Sequence, residues 1–246
     1  MKVFIATPTV HGTVTTAYAH TLIAIARALA AVPAICKLTT VDGSEIVTAR
    51  TALTAAFMND DTFTHILFVD SDMSVDAAVI RHMVELDVPI VGAAYPRRQL
   101  DLAAFASAMA ETPDVARARA KASTFAVKIA PGPVEVKRSV VQAEGFGFGC
   151  VLIARTVFLG LIERGICKPV TSPKLRAMGV AAQAYDFFAP LPGADDDQLS
   201  EDLAFCRRVA ALGDVPLLVY VGPGVGHVGQ FTYSGAFMDC MEKPPS

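Results

Sequence analysis

The chain has 246 residues, of which 53% are hydrophobic, and a formal net charge of −3. That apolar content excludes a disordered polypeptide. The near-neutral charge excludes a broad basic field for nucleic acid, so any anionic ligand must be held locally.

Val3 to Ala6 predicts a first strand, ending in Thr7-Pro8-Thr9. Thr15 to Ala31 has a helical period that stops near Pro33, and Ala34 to Thr39 reads as a second strand. Asp42-Gly43-Ser44 predicts a turn and N-cap for a helix from Glu45 to Met58, with Ile46, Leu53 and Phe57 set for burial. Ile66 to Val69 is a third strand, Ser74 is placed to cap a helix through Leu86, and Val88 to Gly92 is a fourth strand. Beyond residue 99 an Ala-rich stretch runs to Ala122. Phe125–Ile129 and Val134–Val141, split by Pro131-Gly132-Pro133, then predict a hairpin. Cys150 to Ala154 is a strand, Arg155 to Arg164 a helix, and 168–197 mostly loop with a solvated Asp195-Asp196-Asp197. Ser200 opens a helix through Leu212 with Gly213 as its cap, and Pro216 to Val221 is a last strand.

Strands alternating with helices over short connections predict an α/β fold with a Rossmann-like, mostly parallel sheet and a smaller antiparallel part. One domain is expected over 1–246, with halves meeting near Arg98. Apolar stretches are broken well short of a membrane span and Met1–Pro8 is too short for a signal core, so an unprocessed cytoplasmic protein is expected. The five cysteines form no CxxC pair, which fits reduced, buried thiols such as Cys36 and Cys150.

The chemistry concentrates at His65-Ile-Leu-Phe-Val-Asp70-Ser-Asp72-Met73, where an apolar strand runs into two carboxylates. Ligands of open α/β sheets bind at that end of the strands. Acids spaced i, i+2 repel unless a cation lies between them, and hard oxygen ligands suit Mg²⁺ or Mn²⁺. Gly145-Phe-Gly-Phe-Gly149 precedes a strand, so it is no dinucleotide fingerprint. Its glycines permit close backbone approach, and its rings either stack on a sugar or pack into the core.

These motifs, together with Thr7-Pro8-Thr9, Arg50, Tyr95-Pro96-Arg97-Arg98, Ser200-Glu201-Asp202 and His227-Val-Gly229, resemble nucleotide-sugar glycosyltransferases of the GT-A fold. The likeness is to the bacterial and phage-borne branch related to fungal mannan polymerase subunits, and it covers nearly the whole chain. It implies a nucleotide-sugar-binding half to residue 98 and an acceptor-binding half after it. It also implies Mn²⁺ or Mg²⁺ at Asp70, Asp72 and His227, with Asp72 the direct ligand and Asp70 on ribose or a metal-bound water. Thr7, Pro8, Thr9, Arg50, Asp70, Tyr95 and Arg97 would meet the nucleoside-diphosphate sugar, and Gly147, Phe148 and Gly149 the substrate. Asp202, ahead of Glu201, would serve as base toward a glycan or other hydroxyl acceptor. Thr51 departs from the Asn that such enzymes tend to carry beside the arginine. Sugar, base, acceptor, stereochemistry and oligomeric state are not encoded in the spacing.

Two rival readings remain. A haloacid dehalogenase-like phosphatase would use Asp70 as nucleophile. Two strand–helix units precede Asp70, however, and Ser74 stands where Thr or Val is expected. A binding module that has lost turnover is the other, against which stand the intact Asp70, Asp72, Glu201, Asp202 and His227.

Overall fold

The computed structural model of the chain describes residues 1–30, 36–42, 45–180, 183–193 and 198–230. Its first elements are β1 (Val3–Thr9), α1 (Thr16–Ala30), β2 (Cys36–Asp42), α2 (Ile46–Met58), β3 (His65–Val69), β4 (Met73–Val75), α3 (Ala77–Glu85), β5 (Ile90–Ala93) and β6 (Pro96–Leu100). There follow α4 (Leu102–Glu111), α5 (Val115–Lys121), β7 (Ser123–Phe125), β8 (Val127–Lys128), β9 (Val140–Gln142), β10 (Gly145–Phe146), β11 (Cys150–Ala154) and α6 (Arg155–Glu163). The last are β12 (Pro169–Val170), α7 (Pro173–Ala177), β13 (Ala184–Tyr185), β14 (Leu191–Pro192), β15 (Gln198–Leu199), α8 (Glu201–Ala210), β16 (Leu218–Tyr220) and β17 (Val225–His227).

Among the described residues the central sheet has seven strands in the order β2-β1-β3-β11-β5-β16-β9, with β11 and β9 antiparallel to their neighbours. The other strands share one direction, so the α/β expectation of a mostly parallel sheet with small antiparallel satellites holds. Strands from both sides of residue 98 enter this one sheet. Alternation along each strand divides the core into two layers. Phe4, Ile66, Phe68, Val151 and Ile153 face α2, α6 and α8 through Leu53, Phe57, Phe158, Leu161 and Phe205. Val3, Ile5, Leu67, Val69 and Leu152 face α1 and α3 through Tyr18, Ile25, Leu29, Ile80 and Met83. Burial on both faces explains why the central strands read as unbroken apolar runs.

Several local expectations are corrected. Ser74 does not cap a helix: Met73–Val75 is strand β4, paired with β17, and Asp76 takes the N-cap position. Phe125–Ile129 and Val134–Val141 do not pair with each other as a hairpin: β7 pairs with β6, β8 with β10 and β9 with β16, each partner distant in sequence, and the local antiparallel bridge joins Lys137 to Val140. Ile46 is exposed, whereas Leu53 and Phe57 are fully buried. The Ala-rich stretch forms α4 and α5, capped by Asp101 and Asp114. The turn at Gly43-Ser44, the triplet Asp195-Asp196-Asp197 and the helix end near Pro33 lie outside the described residues, as does the side chain of Cys36. Cys150, Cys167 and Cys206 are free and buried, and burial pushes their thiols up to about 12, so they are inert packing groups.

Candidate active site at the carboxyl end of the sheet

Strand β3 carries no polar side chain from Ile66 to Val69 and releases Asp70 where its pairing with β11 ends. The Asp70–Met73 turn is fixed from three sides. The Asp70 N–H donates to the Gly149 carbonyl at 3.0 Å. The Thr15 N–H and hydroxyl both donate to the Ser71 carbonyl, at 2.9 and 3.2 Å. The Val228 N–H donates to the Asp72 carbonyl at 2.9 Å. Just beyond the turn, β4 is anchored to α1 by the buried Thr21 hydroxyl, which accepts from the Val75 N–H at 2.9 Å and lies 3.2 Å from the Met73 carbonyl.

Asp70 and Asp72 have separate partners. Nη2 of Arg50 donates to both oxygens of Asp70, at 3.0 and 3.1 Å, and its Nε donates to Glu201 at 3.4 Å. Arg50 is 2% exposed, and its guanidinium lies 5.5 Å from the ring centroids of both Phe68 and Phe148. One buried cation therefore joins the end of β3 to the start of α8, while its Nη1 has no hydrogen-bond partner among the described residues. Burial pushes the Asp70 carboxyl up, Arg50 pulls it back, and Asp72 and Glu201 add to the rise.

Asp72 faces the other way. Its Oδ2 lies 3.2 Å from Nε2 of His227 and 3.2 Å from Nη1 of Arg98. Burial alone would raise the Asp72 carboxyl, but the His227 hydrogen bond and charge, aided by Arg98, hold it below the usual carboxylate range. Pairing of β17 with β4 sets His227 opposite Met73, one residue beyond Asp72. Nδ1 of His227 lies 3.2 Å from the Pro96 carbonyl. Because a carbonyl only accepts, that nitrogen carries the hydrogen, and in a neutral ring Nε2 is then a lone pair aimed at a carboxylate oxygen. Two acceptors at this distance need a proton or a cation between them. A ring nitrogen tied to a backbone carbonyl is also how proteins orient a histidine toward a metal. The Asp72–His227 pair thus fits a divalent cation, although no group of three or more His, Cys, Asp or Glu side chains converges on one point among the described residues. A cleft of about 430 Å³ opens beside the pair, lined by Thr15, Asp72, Arg98, Val228, Gly229 and Gln230.

At the start of α8, one oxygen of Asp202 accepts from the Ser200 hydroxyl and from the Leu203 N–H, the latter at 2.8 Å. Glu201 is committed to Arg50.

The remaining predicted residues are placed differently from the expectation. Thr7, Pro8 and Thr9 are buried within β1. The Thr7 hydroxyl bonds that of Tyr18, and the Thr9 hydroxyl donates to the Val41 carbonyl at 3.3 Å, so both are spent inside the fold. Phe146 and Phe148 turn inward: both are fully buried, and Phe148 packs on Phe68, Phe188 and Phe205. Stacking of Phe148 on a sugar is therefore corrected to packing beneath Arg50. Gly147 and Gly149 serve Tyr95, since a Cβ at Gly147 would lie 2.2 Å from its Oη and one at Gly149 2.7 Å from its ring. Tyr95 is itself buried and meets the His227 ring edge-on at 5.2 Å. It supports the histidine instead of reaching a ligand, and burial pushes its phenol upward. Arg98, not Arg97, reaches Asp72. From the sequence, no site role is expected of Thr15 or Thr21; a threonine at a predicted helix start is the signal that could have pointed to Thr15, whereas Thr21 carries none.

No family model matches the sequence, and no curated protein matches it. Among solved structures, the chain is similar to A197 from STIV at 12% identity and a TM-score of 0.45, over 89% of this chain and 81% of that one. It is also similar to a glycosyltransferase involved in the glycosylation of the major capsid of PBCV-1, at 8% identity and a TM-score of 0.34, over 68% and 65%. Likeness at this level carries no argument about function.

Proposed function

We propose that the chain is a metal-dependent glycosyltransferase of the GT-A kind, moving a sugar from a nucleoside-diphosphate sugar to a hydroxyl acceptor. The observation that carries this reading is the Asp72–His227 pair, a carboxylate oxygen and a ring nitrogen 3.2 Å apart at the carboxyl end of the central sheet, with room for a proton or a cation between them. Asp72 and His227 would hold Mn²⁺ or Mg²⁺, with Asp70 beside them. Such ions are commonly bound by one or two protein carboxylates, with phosphate oxygens and water completing the shell. The metal would stabilise the charge that develops on the leaving diphosphate. Arg50 orients Asp70 and opposes the rise that burial imposes on its carboxyl, and Arg98 offers a cation at the mouth of the cleft. With Glu201 tied to Arg50, Asp202 is the better placed carboxylate to accept a proton from an acceptor hydroxyl.

Engagement of both Asp70 oxygens by Arg50 weighs against the phosphatase reading, which needs that carboxylate as a free nucleophile. The test is thermal unfolding with Mn²⁺ and a panel of nucleoside diphosphates, followed by release of free diphosphate from nucleotide sugars. A matching nucleotide at a hundred times its Kd should add about 2.7 kcal/mol. Asp72→Ala should remove both the shift and the release. The reading fails if no nucleotide shifts the transition, or if Asp72→Ala keeps its activity in chelator.

A further inference from the structure

We propose that the groove walled by α5, β7 and the loop after β16 binds an anionic amphiphile: a hydrocarbon chain with a single negatively charged head. The groove encloses about 640 Å³, within the range of small-molecule sites. Ala116, Ala120, Phe125, Val127, Val221 and Pro223 form its walls. The alanines stand one turn apart on α5, and their small side chains leave the floor open. Phe125 and Val221 are 38% and 39% exposed, so two large apolar side chains are left facing this space.

The occupant follows from what the walls offer. Among the described residues Arg119 is the single charged side chain in the lining, three residues beyond Ala116. It suits one anionic head. Ser123, the other polar side chain there, already donates its hydroxyl to the Arg119 carbonyl at 2.9 Å. The Pro223 carbonyl accepts from the Tyr220 hydroxyl at 3.0 Å, and the Ala94 N–H is spent on the Tyr220 carbonyl. With those three groups already paired, a peptide laid here could not use them to satisfy its main-chain N–H and C=O groups, whereas a hydrocarbon has none to satisfy.

The groove also adjoins the candidate site. Pro96 lines it while its carbonyl holds His227, and Val225 lines it two residues before His227 on β17. The ligand is accordingly the apolar part of the acceptor, an assignment that rests on the glycosyltransferase reading; binding itself does not.

The test uses the full chain with octyl phosphate, octanol and inorganic phosphate, followed by calorimetry. Octyl phosphate should bind at least tenfold more tightly than either other probe. Ala120→Trp, at an exposed helix position, should weaken it at least tenfold, and Phe125→Ser is the second variant should that one fail to fold. Arg119→Gln should bring octyl phosphate down to the affinity of octanol. Octyl phosphate binding no better than inorganic phosphate, or unchanged in both groove variants, overturns the proposal. Preference for an apolar peptide over octyl phosphate assigns the groove to a protein and also overturns it. A nucleotide shift that is absent in the wild type while octyl phosphate binds would sink the glycosyltransferase reading alone.

Discussion

At the scale of single residues the site turns on one buried charge. Arg50 is closed in by Phe68 and Phe148, and its charge is balanced by Asp70 and Glu201. Removing one partner of a buried ion pair leaves the others uncompensated, a cost of about 3–5 kcal/mol. Arg50→Met should lower stability by that amount in urea titrations. A loss below about 1 kcal/mol would mean that the pairing is no better than a surface contact. Arg50, Asp72 and His227 stand out in the sequence because each type suits one chemistry, and the structure shows Arg50 paired with Asp70 and His227 with Asp72. The sequence misjudged Phe148 and Tyr95 because a ring can pack or bind, and only the sheet's geometry decides which.

Among the elements, the contact between α1 and β4 positions the carboxylates. The Thr21 hydroxyl reaches into β4 immediately after the Asp70–Asp72 turn and satisfies the Val75 N–H. Thr21→Val keeps the shape but leaves that buried donor unpaired, which should cost about 1–3 kcal/mol. It should also speed amide exchange at Val75 before that of the α3 amides, as hydrogen exchange would record. Uniform loss of protection would instead mean that Thr21 serves the fold as a whole. Strand β4 was legible only as a helix start: Met73-Ser74-Val75 is three residues long, Ser is a strong cap, and the partner that makes it a strand lies at 225–227. The false hairpin has the same origin, since Pro131-Gly132-Pro133 marks a turn without specifying which strands flank it.

For the whole molecule, the charge layout sets the response to acid. Against the opposing effect of burial, His227 and Arg98 hold the Asp72 carboxyl below its unfolded value. A depressed carboxyl contributes stability above its unfolded pKa, about 3.9, and loses it as pH falls through the folded value. The stability gap between wild type and Asp72→Asn, measured without metal, should therefore be open at pH 7 and close as the pH is lowered below about 4. A gap constant from pH 7 to pH 3 would show that Asp72 acts through shape and not charge. No helix among the described residues is long and apolar enough to cross a membrane. Residues far apart in the chain, from Thr15 to Val228, meet at the edge of the sheet.

The sequence by itself determined the α/β class, the strand that ends in Asp70-Ser-Asp72, and the residue types able to hold a cation there. Those properties are local: apolar runs need burial, and carboxylates at a strand end need a counter-charge. The tertiary structure decided the partners. It gave Asp70 to Arg50 and Asp72 to His227 and Arg98, and it buried Thr7, Tyr95 and Phe148. Pairings across more than a hundred residues depend on strand order and register, which periodicity does not contain.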